Sequence, residues 1–63
     1  MCESTAYIVT SGKQDLFLKD VIKIKPVSGG KLLVENLLGE QREFVGHISE
    51  IDFMAHKILL EKD

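Results

Sequence analysis

Val21-Ile22-Lys23-Ile24-Lys25-Pro26-Val27-Ser28-Gly29-Gly30-Lys31-Leu32-Leu33-Val34-Glu35-Asn36-Leu37 is the stretch on which the fold turns. Two apolar-rich arms flank Ser28-Gly29-Gly30, and glycine accepts the positive φ angles that tight β turns need, so the stretch reads as a hairpin. In the first arm, strand periodicity sets Ile22 and Ile24 on one face and Lys23 and Lys25 on the other. Pro26 has no amide hydrogen to give a ladder and marks an edge or a strand end. The second arm runs from Lys31 to Leu37.

Outward from the hairpin the same pattern repeats. Upstream lie Leu16, Phe17 and Leu18, then a tight turn at Ser11-Gly12-Lys13, and before it a first strand from Ala6 to Thr10. Downstream, Leu38-Gly39-Glu40 turns the chain, Arg42 to Val45 forms a fourth strand, and Lys57 to Glu61 closes the sequence with a fifth or sixth. Gly46 to Phe53 places Ile48, Ile51 and Met54 at spacings that suit either a short helical turn or an irregular strand. Short, evenly spaced strands with almost no helical periodicity predict an all-β fold, best closed as a small barrel because closure removes exposed sheet edges. No repeat, low-complexity segment or linker interrupts the chain, so residues 1–63 read as one domain.

With 63 residues, such a domain buries only about 60% of the surface its unfolded chain exposes. Domains this small recruit a disulfide, a metal or a second subunit. The single cysteine excludes an intrachain disulfide. Cys2, His47 and His56 are too few and too dispersed for a structural zinc site, which takes four ligands, often in close pairs. Self-association is what remains. Several strands carry apolar residues on both faces: Tyr7 and Val9 opposite Ala6 and Ile8, Phe17 opposite Leu16 and Leu18, Leu33 and Leu37 opposite Leu32 and Val34. Either these cover the open ends of the barrel, or they form a symmetric dimer interface.

A net charge of −2 and a pI near 5.6 give phosphates no general attraction, which disfavours nucleic acid. The N-terminus lacks the charged and apolar regions of a secretory signal, and no run approaches the ~20 apolar residues of a membrane span. The expected location is the cytoplasm, where a lone thiol stays reduced. No Ser-His-Asp set, phosphate loop or HExxH helix is present, so the chain is not expected to be an enzyme. Alternation turns Glu35, Glu40, Glu43, Glu50, Asp52, Glu61 and Asp63 mostly to solvent, and His47 and His56 fall in turn regions as surface residues.

Cys2 is the distinctive group. The amine of Met1, the backbone nitrogen of Cys2 and its thiolate can close two fused five-membered chelate rings. Divalent nickel and copper accept tetragonal nitrogen and sulfur coordination, whereas zinc prefers tetrahedral closure. If the initiator methionine is removed, the amine and thiolate of Cys2 still form one ring.

The opening Met1-Cys2, the chain length, and Val45-Gly46-His47-Ile48-Ser49-Glu50-Ile51-Asp52 with Ile58 and Leu60 after it resemble the CooT family of small nickel-binding proteins. The resemblance implies an SH3-like β barrel, a homodimer, and Ni(II) bound by Cys2, with Met1 as a neighbouring donor if retained. It also implies that the protein acts as a nickel chaperone in the maturation of carbon monoxide dehydrogenase. The rival readings are a small-barrel RNA-binding module and an interaction module that binds no metal.

Overall fold

The structure, a computed structural model, describes residues 3–63. Five strands follow one another along the chain: β1 (Ser4–Thr10), β2 (Lys13–Val27), β3 (Lys31–Asn36), β4 (Gln41–Asp52) and β5 (Lys57–Lys62). Each pairs antiparallel with the next, and β1 pairs parallel with β5, closing the ring as the sequence pattern predicts.

The turns work as their residues suggest. Ser11 and Gly12 both have positive φ, the conformation that joins two strands through a two-residue loop, and Thr10 pairs with Lys13 across it. Gly29 and Gly30 likewise have positive φ in the three-residue link between the paired Val27 and Lys31. Alternation in β3 is regular: Leu32, Val34 and Asn36 are buried.

The long strands β2 and β4 are less regular, because each must serve two neighbours and bend between them. The first half of β2 pairs with β1 and the second with β3; β4 divides in the same way between β3 and β5. Extra residues make the bends. Phe17 is the additional residue between the Tyr7–Leu16 and Ala6–Leu18 pairs, so Phe17 and Leu18 are both buried although adjacent. Asp20 has positive φ at the next irregularity, a conformation Asp tolerates better than most side chains. Ile22 is the extra residue between the Val21–Asn36 and Lys23–Glu35 pairs, and Ser49 plays that part in β4.

These bulges correct two expectations. Simple alternation of Ile22 and Ile24 against Lys23 and Lys25 fails: Val21 is the residue in the core, while Ile22 is shifted to the surface and is about half exposed. The segment from Gly46 is the irregular strand of the two alternatives, but it is not an element separate from the fourth strand. It continues the strand begun at Gln41 as far as Asp52, with the bulge at Ser49 accounting for its irregular spacing.

The core holds Ala6, Phe17, Leu18, Val21, Leu32, Val34, Phe44, Ile58 and Leu60, with Ile8, Ile24 and Ile48 packed against it. The Phe17 and Phe44 rings meet edge to face, with centroids 5.6 Å apart. Arg42 seals that pair from outside: its guanidinium carbon lies 4.2 Å from the Phe17 ring centre, and Nη1 donates to the Phe17 carbonyl at 2.7 Å. Asn36 is the one buried polar side chain among the described residues. Its Oδ1 accepts from the backbone nitrogens of Leu38 and Glu40, and its Nδ2 donates to the Glu40 carboxylate, so it ties down the whole β3–β4 turn.

Candidate metal centre

Met1 and Cys2, the residues to which the sequence points, lie outside the described residues. Their surroundings are therefore approached through the start of β1. Ser4 pairs with Val21 of β2, and the Thr5 amide donates to the His56 carbonyl at 2.9 Å. The chain thus enters the barrel beside the β4–β5 turn, which is itself held by the Ala55 amide donating to Asp52 Oδ1 at 2.9 Å.

Ser4 also lines an apolar cleft of about 280 Å³, formed where the second halves of β2 and β4 face each other without pairing. Its walls are Val21, Ile22, Lys23 and Ile24 from β2, Ile48 and Ile51 from β4, Phe53 from the turn and Ile58 from β5. Sequence reasoning placed the excess of apolar surface on residues such as Tyr7, Val9, Leu16, Leu33 and Leu37, none of which lines this cleft. The signal was present in the isoleucines at positions 22, 48 and 51, which only the bulges bring to one side.

Both histidines are exposed, as expected. His56 occupies the turn beside Thr5 with positive φ. His47 lies elsewhere, within strand β4 and not in a turn as expected. It pairs with Glu61, four residues further along β5 than Lys57, the partner of Thr5; at ~3.3 Å per residue that places it roughly 13 Å up the barrel from the N-terminal end. Its Nδ1 is 2.9 Å from Asp63 Oδ1 and its Nε2 is 3.4 Å from Glu61 Oε1. The hydrogen bond to Asp63 is the main cause that raises its pKa above the ordinary 6.5; loss of solvent around the ring is the next largest effect and opposes it, while the charges of Asp63 and Glu61 and the Glu61 hydrogen bond add smaller upward contributions.

Some of the carboxylates predicted to be merely solvated thus have local duties: Glu61 and Asp63 flank His47, Asp52 holds its turn, Glu40 holds Asn36, and Glu35 faces Lys23 at 3.6 Å. Among the described residues, no group of three or more His, Cys, Asp or Glu side chains could hold a metal ion.

The His47 arrangement makes a testable statement. Because its folded pKa is raised, the paired imidazolium favours the folded state fully below about 6.5, and that contribution fades as pH rises through the folded value. Proton NMR titration should find His47 titrating above 6.5, with Asp63→Asn moving it down; a His47 indifferent to that substitution would refute the pairing.

Comparison with known proteins adds the decisive observation. Residues 1–61 match the family described as CO dehydrogenase accessory protein CooT. The chain belongs to the CooT family. A crystal structure of a protein assigned to CooT, from Carboxydothermus hydrogenoformans, superposes with a TM-score of 0.91 at 39% identity, covering 98% of each chain. An uncharacterised protein of Methanothermobacter thermautotrophicus is 36% identical over 63 residues, spanning 100% of this chain and 92% of that protein. An uncharacterised protein of Methanocaldococcus jannaschii is 33% identical over 61 residues, spanning 97% and 98% of the two. The five-stranded ring is therefore the CooT fold, and membership carries an accessory role toward CO dehydrogenase. Among the described residues, no helix is long and apolar enough to cross a membrane.

Proposed function

We propose that the chain is a nickel-binding accessory protein that delivers Ni(II) to carbon monoxide dehydrogenase, with one ion shared by the Cys2 residues of two chains. The observation that carries this reading is the extent of the family match, which begins at residue 1 and so takes in Met1-Cys2. Donor chemistry supports it. One chain supplies a single thiolate with adjacent nitrogens; two chains related by a two-fold axis supply two sulfurs and two nitrogens, a complete square plane of the kind nickel accepts. Met1 contributes its amine if it is retained. The protein catalyses nothing in this reading: it holds the ion and passes it to its client. A cytoplasmic setting, in which a lone thiol stays reduced, is consistent with that role.

RNA binding receives no support from the surface. Net charge is negative, and Lys23 and Lys31 face Glu35 and Glu43 rather than forming a basic groove.

Calorimetric titration of the reduced protein with nickel should saturate at one ion per two chains. A limit of one ion per chain would rule out the shared site. In the same assay, His47→Ala and His56→Ala should each keep nickel affinity within about tenfold, or about 1.4 kcal/mol. His47 is far from the N-terminal end and occupied by two carboxylates, and only the backbone of His56 is tied to β1. A larger loss in either variant would mean that the site extends beyond Cys2 and Met1.

A further inference from the structure

We propose that the β3–β4 turn, with Leu37 and Leu38 at its tip and Asp20 at its base, is the element by which this chain docks on its client protein, entering an apolar pocket edged by lysine or arginine. The proposal rests on the reading of the chain as an accessory to a client enzyme and names the surface that the client meets. It does not depend on which residues hold nickel.

Every backbone amide from Asn36 to Glu40 is engaged. Asn36 donates to the Glu40 carbonyl at 2.9 Å, Leu37 to the Asp20 carbonyl at 2.9 Å and Gly39 to the Asn36 carbonyl at 3.0 Å. Leu38 and Glu40 donate to Asn36 Oδ1 at 3.1 and 2.9 Å. A turn so fixed holds its tip in one conformation, and a partner then loses little entropy in ordering it. What it presents is two leucines, 57% and 82% exposed, where turns ordinarily carry Gly, Pro, Asn, Asp or Ser. Neither belongs to the core, and neither lines the cleft beside Ser4. The fold has no use for them there, so their apolar surface is left to an outside contact.

The charge at the base of the turn selects the kind of partner. Asp20, joined to the turn through the Leu37 amide, has a φ of 57°, a left-handed conformation that glycine takes freely and other residues adopt at a cost. Its side chain is exposed, and among the described residues no Lys, Arg or His lies within ion-pair distance of the carboxylate. An uncompensated carboxylate beside two exposed leucines suits an apolar pocket with a cation at its edge.

Area decides against a second copy of this chain as the occupant. A leucine offers no more than the ~150–250 Å² of an aromatic side chain, so the two tips expose roughly 350 Å² at most, against about 800 Å² from each partner in a stable dimer. A two-fold contact would also set tip against tip, with no hollow to receive either, and bring two Asp20 carboxylates together. A small, rigid tip suits a brief encounter, as delivery of a cargo requires. Asn36 pairs with Val21, which pairs with Ser4, so at ~4.8 Å per strand the turn lies about 10 Å from the start of β1. A client seated on the turn is beside that end of the barrel.

Interferometry with purified, nickel-free carbon monoxide dehydrogenase as the immobilised partner tests this. Wild type and Val45→Glu should bind alike, since Val45 is also 57% exposed but pairs with Lys31, at the far end of β3 from Asn36. Leu37→Glu and Leu38→Glu should bind roughly tenfold more weakly or worse. Asp20→Asn should lose roughly three- to tenfold and depend less steeply on salt. All these variants should match the wild type in far-UV circular dichroism, sedimentation and nickel titration, because the substituted side chains are exposed. As a check that needs no variant, substoichiometric enzyme should broaden the amide signals of Leu37 to Glu40 before that of Val45. A wild type that does not bind the enzyme, leucine variants that bind it like the wild type, or uniform broadening would overturn the proposal. So would altered sedimentation of Leu38→Glu, which would give the turn to a second copy, or loss of its nickel binding, which would give it to the metal site. An Asp20→Asn that binds like the wild type would overturn the cationic edge of the pocket. Cys2→Ser keeps the two levels of the account apart. If it binds nickel like the wild type while Leu38→Glu loses the enzyme, docking stands and the nickel reading fails. If it loses nickel while Leu38→Glu still docks, the turn is wrong and the nickel reading stands.

Discussion

Gly46→Ala should destabilise the barrel by about 3 kcal/mol, the upper end of what overpacking a well-filled core costs. Gly46 is buried in the middle of β4 with ordinary φ, so conformational freedom is not the reason for glycine there. Space is. A Cβ at this position would overlap the Glu61 carbonyl of the neighbouring strand and the Phe44 ring. One obstacle is backbone held in the β4–β5 ladder and the other is a core ring packed against Phe17, so neither moves cheaply. A domain of this size has only about 3–9 kcal/mol of stability in total, and 1 kcal/mol moves its melting temperature by roughly 4–8 °C. Thermal unfolding should therefore show a fall of more than ten degrees, or no cooperative transition. A variant that melts within a few degrees of the wild type would mean that β5 has room to shift.

Much of the fold was legible in the sequence because its turns are built from residues with few other uses. Ser11-Gly12 and Gly29-Gly30 set the two hairpins, but with apolar residues on both faces of β3 the alternation left open which face is inner; Leu32, Val34 and Asn36 take it. What local pattern could not give was the course of β2 and β4. A bulge adds one residue and reverses the alternation after it, so the burial of both Phe17 and Leu18, the outward turn of Ile22 and the continuity of β4 through Ser49 become visible only once the neighbouring strands are in place. The duties of Arg42 and Asn36 were hidden for the same reason, since their partners are set by pairing across strands and by a turn that closes on itself. For the candidate centre, Cys2 stood out by its donor chemistry taken together with the family resemblance. The cleft beside Ser4 did not, because its isoleucines come from three strands separated by up to thirty-six positions along the chain, Ile22 to Ile58.

Cys2→Ser should lower nickel affinity by at least a thousandfold, about 4 kcal/mol, and leave the fold intact. Serine keeps the shape of the side chain but remains protonated at neutral pH and is a far poorer partner for a soft ion than a thiolate. Folding should not suffer, since the barrel and its core are complete from Ser4 onward and terminal residues contribute little to stability. Because the thiolate is the ligand, binding must release protons, and affinity should weaken as pH falls below the ~8.5 typical of a free cysteine. Acid should then strip the metal before it unfolds the barrel. The most direct test is one nickel titration of wild type and Cys2→Ser side by side, reduced and at neutral pH, followed in the near-ultraviolet. The account predicts that the wild type develops a sulfur-to-nickel charge-transfer band, saturating at half an equivalent, with a diamagnetic product, and that Cys2→Ser develops no band. A Cys2→Ser protein that binds nickel as tightly as the wild type, or a wild type whose bound nickel is pale and paramagnetic, would contradict it.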